Sequence, residues 1–322
     1  VVTFKEKTHV AYQEVAREGY PNCVRTLDHA SRRWSEPYVL NHGVDNHARA
    51  VLTVDEDGFL HVVLGGHNTP VTYRRTVRAN DSSAWAEAEP AGDGTYPVLV
   101  AAPGGTLYLV FRVAGLHGVD LYAKRPGEPW KHQHRMVRRA EQYKTGYAAY
   151  HASLRAGRDG TLHLQCDFYE GKGFHEHRGI HQAICAMRSA DGGETWTRHD
   201  GAPVTLPARP EDMDILARST RERHESLSPP ELRGGGIALL ADGTPVFLYL
   251  SHEDAPGEIV LATPGLDGGW TQRKLDALTQ FDPDRRPIEA RLTQTVDGGL
   301  RILCTLAIYP EHWSNGKPTR NM

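Results

Sequence analysis

Five times along the chain a tight polar turn opens an apolar run of five to seven residues. FLHVVL follows Asp57-Gly58, TLYLVF follows Gly104-Gly105, and TLHLQC follows Asp159-Gly160. TPVFLYL follows Asp242-Gly243, and GLRIL follows Asp297-Gly298. Runs of this length bounded by glycine turns predict strands rather than helices. A tryptophan trails each run (Trp85, Trp130, Trp196, Trp270 and Trp313), and an earlier unit without the turn carries KTHVAY and then Trp34. A unit of about 50 residues repeated in this way predicts a radial array of small antiparallel sheets. The fold expected is all-β, a β-propeller spanning 1–322 as one domain. Six units are visible and a seven-bladed ring is the expectation, a β-sandwich and a solenoid being the alternatives. The one stretch with helical patterning, Glu211 to His224, reads as an insertion.

Ser189-Ala190-Asp191-Gly192-Gly193-Glu194-Thr195-Trp196 is a complete Asp-box, S-x-D-G-G-x-T-W. Its aspartate is expected to accept backbone hydrogen bonds across a hairpin turn, and its tryptophan to pack between sheets. That role is structural, remote from any central channel.

In a propeller the start of the first strand and the end of the second meet at one mouth, with the Asp-Gly turn at the opposite face. Reading each unit this way predicts a rim that collects His47, His67, Tyr96, Arg112, Tyr150, His151, Tyr169 and His252, with Asn46 and Asn68 beside the first two. Taken singly, a histidine at a strand end is more often a solvated or hydrogen-bonded residue than a catalyst, Arg112 could pair with a carboxylate, and Tyr96 could serve packing. Gathered at one mouth, they form a candidate site.

Composition narrows the chemistry. A net charge of −3 gives no general electrostatic case for nucleic acid or an anionic membrane. No apolar run approaches the roughly 18 residues that span a bilayer. The chain starts at Val1 with no visible signal peptide, which reads as a processed or truncated start, with a secreted or periplasmic location as the expectation. No carboxylate pair stands out on the predicted rim, which argues against ordinary glycoside hydrolysis. Arginine, tyrosine and histidine together suit β-elimination of a uronic acid. Arg112 would neutralise the carboxylate and so stabilise the enolate-like charge. Histidine or tyrosine would take the C5 proton and protonate the leaving oxygen.

At these residues the chain resembles the BNR-repeat polysaccharide lyases, specifically the propeller ulvan lyases, from about Asp45 to Trp196. His47 in DNHARAVLTVDEDG and His67 in VVLGGHNTPVTYRR are similar in setting to that family's active-site histidines. Tyr96 in TYPVLVA and Arg112 in YLVFR resemble its catalytic tyrosine and carboxylate-neutralising arginine, and Tyr150 loosely matches a further tyrosine. The resemblance implies a seven-bladed propeller that cleaves beside uronic acid in sulfated rhamnose–uronate polymers, related propeller lyases cutting rhamnosyl-glucuronate linkages. The catalytic set is then His47, His67, Tyr96 and Arg112, with Asn46, Asn68, Tyr150, His151, Tyr169 and His252 binding an acidic polysaccharide or oligosaccharide. Catalysis would need no cofactor. A non-catalytic carbohydrate-binding propeller and a sialidase-like glycosidase are the alternatives.

Cys166, His175, His177, His181 and Cys185 lie in or beside one predicted hairpin and form a candidate structural site for zinc or calcium. An exposed polar loop over two small buried cysteines, or a Cys166–Cys185 disulfide, would account for the same pattern.

Overall fold

A computed structural model describes residues 1–17, 19–113, 118–139, 145–171, 179–220, 231–253, 257–275, 285–295, 297–308, 313–314 and 317–318. Among them strands dominate, helix is confined to two 3₁₀ turns, and no helix is long and apolar enough to cross a membrane. The residues group into two compact units, Val1–Met136 with Arg158–Gly160, and Val137–Gly157 with Thr161–Met322.

The predicted turns sit where turn chemistry puts them. Asp57-Gly58 joins Val51–Val54 to Leu60–Leu64, and Gly104-Gly105 joins Glu89–Ala101 to Leu107–Val113. Asp159-Gly160, Asp242-Gly243 and Asp297-Gly298 likewise join antiparallel partners.

In the first unit, Val51–Val54, Leu60–Leu64, His67–Arg75, Glu89–Ala101, Leu107–Val113, Val119–Lys124 and Lys131–Val137 form one continuous antiparallel sheet. Glu89–Ala101 gives it that continuity: its first half pairs with His67–Arg75 and its second half with Leu107–Val113. One long strand thus ends one repeat and begins the next. Leu107, Leu109, Phe111 and Val113 alternate onto a core shared with Val63, Val71, Tyr73 and Leu99. The intervening position of this wholly buried strand carries Arg112.

In the second unit the Asp-box folds as its sequence predicts. Asp191 Oδ1 accepts the Thr195 N–H at 2.9 Å, and Trp196 Nε1 donates to Gly193 O at 3.0 Å. Trp196 is fully buried. A shorter version recurs in the first unit, where Asp81 Oδ1 accepts Ser83 N–H at 2.9 Å and Trp85 Nε1 donates to Ser82 O at 3.0 Å.

The helical reading of Glu211 to His224 does not hold. Pro210–Asp212 is a 3₁₀ turn, Asp214–Arg218 is a strand paired with Ile180–Ser189, and residues 221–224 lie outside the described residues. Asp214 and Leu216 point inward while Ile215 points outward, the two-residue period of a strand. An open edge of Ile180–Ser189 recruits this segment despite its helix-compatible composition.

Candidate active site

The first unit brings His67, His47, Tyr96 and Arg112 into a file of successive contacts. The His47 and His67 rings stack with centroids 4.1 Å apart and 25° between planes. His47 lies 5.8 Å from the Tyr96 ring, and the Arg112 guanidinium carbon lies 4.9 Å over that ring's centroid. His67 and Asn68 open the strand His67–Arg75; they do not end the preceding strand, but the residues reach the same end of the sheet.

Two irregularities build this arrangement. Between Glu89–Ala101 and Leu107–Val113 the pairing jumps from Val98↔Val110 to Thr95↔Arg112, so Tyr96 and Pro97 bulge out opposite Phe111. A bulge re-aims a side chain, and Tyr96 adopts φ +55°, sparsely populated for a bulky residue. The bulge needs room. Gly66, at φ +109°, carries no Cβ; one placed there would lie 2.8 Å from Pro97 Cδ. The Gly66 carbonyl meanwhile accepts the Tyr96 N–H at 3.3 Å. The second bulge, between His67 and Thr69, is fixed by Thr95, whose hydroxyl accepts the Asn68 N–H at 2.9 Å and donates to Asn68 Oδ1 at 3.0 Å. Asn68 is thereby committed to holding two strands together, while Asn46 is exposed.

Asp45 organises the histidines. Its Oδ1 accepts the His47 backbone N–H at 2.8 Å, an Asx-turn contact, and its Oδ2 meets His67 Nδ1. Burial pushes the Asp45 carboxyl up, but the hydrogen bonds from His47 N–H and His67 outweigh it and hold the carboxyl below its ordinary value. An ionised Asp45 requires the His67 proton on Nδ1, so a neutral His67 presents Nε2 as an acceptor. At the other end Arg112 is only 5% exposed, so its charge acts where water screens it least.

The second unit holds a polar cluster of its own. His151 donates its backbone N–H to Asp167, and its Nδ1 lies 3.4 Å from Asp167 Oδ2. Burial raises the fully buried Asp167 carboxyl, but the charge and hydrogen bonds of His151 bring the net shift below the usual value. The Tyr150 ring meets His151 at 4.6 Å, Tyr169 at 5.6 Å and His181 at 5.3 Å. His181 donates its backbone N–H to Glu231 at 3.0 Å, and His252 donates its own to Glu231 O at 2.9 Å. Of the ten predicted catalytic and binding residues, His47, His67, Tyr96 and Arg112 therefore meet in the first unit and Tyr150, His151 and Tyr169 in the second, where His252 is joined to them through Glu231 and His181.

Cys166 and Cys185 face each other across Leu162–Gly171 and Ile180–Ser189 as predicted, but as free, buried thiols rather than a disulfide. Burial pushes both thiols up. His175 and His177 of the same proposed set lie outside the described residues.

A family model described as BNR repeat-containing family member matches residues 6–278. The chain belongs to the BNR repeat-containing family. This BNR-repeat chain is 24% identical to an ulvan lyase of Alteromonas sp. (strain LOR) over 139 residues, 35% of this chain and 28% of that protein. It is 27% identical to an ulvan lyase of Nonlabens ulvanivorans over 140 residues, 35% of this chain and 29% of that protein. The matched stretch thus spans less than a third of either curated relative. A solved polysaccharide lyase, an ulvan lyase bound to -[GlcA(1-4)Rha3S]-, matches with a TM-score of 0.66 at 16% identity, covering 84% of this chain and 69% of that one. That likeness shows the fold, an all-β arrangement of propeller type.

Sequence reasoning missed Asp45, Asp167 and Glu231 as the carboxylates behind the histidines. For Asp45 the signal was present. In Asp45-Asn46-His47 the aspartate sits two residues before a histidine in a turn, the spacing at which its carboxylate caps that residue's N–H. Asp167 and Glu231 reach their partners across strands, and no local spacing announces them.

Proposed function

We propose that this BNR-repeat chain is a polysaccharide lyase that cuts beside a uronic acid by β-elimination, with a rhamnose–uronate glycan of the ulvan type as substrate. The observation that carries the reading is the file His67, His47, Tyr96 and Arg112, closed at one end by a carboxylate and at the other by a buried guanidinium. The named relatives are ulvan lyases, and the ligand of the solved lyase has a uronate next to a sulfated rhamnose.

The roles follow from position. Arg112 binds the uronate carboxylate and stabilises the negative charge that spreads onto it as the C5 proton leaves. Bidentate binding through the guanidinium fork also orients the ring. His47, next in line to Tyr96, takes the C5 proton. Tyr96 gives its phenolic proton to the leaving O4, its ring held against the Arg112 charge. His67, with Nδ1 committed to Asp45, receives a substrate hydroxyl at Nε2 and steadies the His47 ring by stacking.

The test is the growth of near-ultraviolet absorbance from a C4–C5 unsaturated uronate on ulvan and related rhamnose–uronate polymers. Arg112→Ala should lose on the order of 10² to 10³ in kcat, the scale for removing one donor to a developing oxyanion. Because Arg112 is buried, Arg112→Lys is the paired variant: it keeps the charge, loses the fork, and should fold and remain strongly impaired. An Arg112→Ala protein that turns over normally overturns the mechanism. Binding of glycan without any unsaturated product would make the chain a carbohydrate-binding propeller instead.

A further inference from the structure

The geometry points to a divalent transition-metal site formed by Asp45, His47 and His67, whose occupation switches the elimination off. The three side chains each offer a ligand atom, and these atoms lie within 4.8 Å of one another. They come from two chain segments, the turn before Val51–Val54 and the start of His67–Arg75, so the folded sheet preassembles them. Among the described residues they are the group with this property.

One edge of the set has the length zinc requires. With metal–ligand bonds of about 2.0–2.1 Å, a tetrahedral site has ligand-to-ligand edges of about 3.3 Å. His47 Nδ1 and Asp45 Oδ1 are 3.3 Å apart. They are also not joined by a hydrogen bond: His47 Nδ1 is shut off from solvent and has no hydrogen-bond partner. A buried imidazole nitrogen without a partner, one tetrahedral edge from a carboxylate oxygen, is poor hydrogen bonding but good ligation. The second edge, Asp45 to His67 Nδ1, is closed by a hydrogen bond. A metal takes that proton's place; in a neutral His67 the proton moves to Nε2 and Nδ1 becomes the ligand. Two imidazoles with one carboxylate favour zinc, cobalt, nickel or copper over calcium or magnesium, which seek more oxygens. All three side chains are 30–37% exposed, so an ion can enter and a water can complete the shell.

The effect on turnover rests on the lyase reading above. An imidazole ligated through Nδ1 carries its proton on Nε2, so neither nitrogen of His47 can then accept the C5 proton. Zinc would act as a reversible inhibitor of an enzyme whose active form is metal-free.

The test titrates metal-free protein with zinc by calorimetry and follows cobalt uptake by its visible absorption. Asp45→Asn, His47→Ala and His67→Ala should each weaken one binding event by at least tenfold, since even an outer partner of a ligand commands that much. His132→Ala, whose ring instead pairs with Asp120 at 3.2 Å, should leave that event unchanged. Circular dichroism checks that each variant folds, and the near-isosteric Asp45→Asn guards against a collapsed site. No zinc binding, or binding that survives all three substitutions, overturns the assignment. On the activity side, zinc should abolish formation of unsaturated uronate and a chelator should restore it; zinc bound at these residues without inhibition overturns the switch. The calorimetric result is read without any glycan, so it stands or falls separately from the lyase reading.

Discussion

Replacing Gly94 with alanine tests whether sheet packing sets the position of Tyr96 and Arg112. Gly94 lies in the middle of the continuous sheet of the first unit, opposite Thr69 on one side and Val113 on the other. A Cβ there would fall 2.3 Å from Phe111 Cδ2, 2.5 Å from the Arg112 carbonyl oxygen and 2.9 Å from Phe111 Cε2. Relief needs a displacement on the order of 1 Å, because packed interiors hold no spare volume. Phe111 is fully buried in the core and cannot swing out. The Arg112 oxygen is backbone, held in register with Thr95 and, on the far side, with Val119. Overpacking of this kind costs about 1–3 kcal/mol. The displaced atoms belong to the strand that carries Arg112 and to the residue before Thr95-Tyr96, and a misplacement near 1 Å at a catalytic group costs about 10²-fold in rate. Urea denaturation should show a lower midpoint with an unchanged slope, and the near-ultraviolet assay should show a kcat loss larger than the stability loss explains. Gly160→Ala is the control: nothing lies within 4 Å of its added Cβ, its φ of +83° still imposes backbone strain, and it sits in a turn at the far end of Leu162–Gly171 from Tyr169. It should lose stability and keep full turnover. A Gly94→Ala protein as stable and as active as the parent would refute the packing argument.

Two further outcomes follow from buried groups. Burial lowers His181 to a pKa of about 4, against the partial opposition of the Asp167 charge, so the fold favours the neutral ring. Its contribution is complete above the ordinary histidine value of 6.5 and is lost as pH falls from there through about 4, because the unfolded chain binds a proton that the native one refuses. Urea midpoints across that window should fall steeply for the parent and less steeply for His181→Gln; equal slopes would contradict the assignment. Trp196→Ala should destabilise by about 3–5 kcal/mol, the cost of emptying a large core position, with turnover per folded molecule retained at saturating glycan; a loss below about 1 kcal/mol would show that the Asp-box tryptophan does not anchor its sheet.

What was legible in the sequence was local chemistry. Asp-Gly and Gly-Gly turns need positive φ at fixed places, and Gly58, Gly104, Gly105, Gly160, Gly243 and Gly298 all adopt it. The Asp-box carries its own hydrogen bonds within eight residues, so its fold could be read before any tertiary contact was known. The histidines, Tyr96 and Arg112 were legible because the strand-turn rule sends them to the same end of their hairpins. Glu211 to His224 misled because helical patterning takes no account of the open strand edge that Asp214–Arg218 fills. Asp214 anchors that edge by accepting His199 Nδ1 at 2.8 Å, a contact between residues fifteen positions apart. The same limit hid Asp167 and Glu231.

The bulges explain why a catalytic constellation can be half visible in a sequence. A regular strand would alternate Thr95, Tyr96 and Pro97 between faces, and the register that runs from the Gly104-Gly105 turn, continued unbroken, would set Pro97 opposite Phe111 and Tyr96 opposite Arg112. The register jump at Val110/Arg112 instead gives Tyr96 a left-handed backbone, and it was encoded in residues that look like packing choices: Pro97, Gly66 and Gly94. Gly66 makes room for the Pro97 ring, and Gly94 makes room for the Arg112 carbonyl. Pro97 has no N–H to lose at the irregular position. Backbone strain of about 1–3 kcal/mol at Tyr96 persists only where neighbours over-determine it, and here two glycines, a proline and the Thr95 hydroxyl bridge to Asn68 do so. The residues that perform the proposed chemistry therefore depend on residues with no chemistry of their own, and substitutions at Gly66 and Gly94 should mimic loss of Tyr96 more closely than their small size suggests.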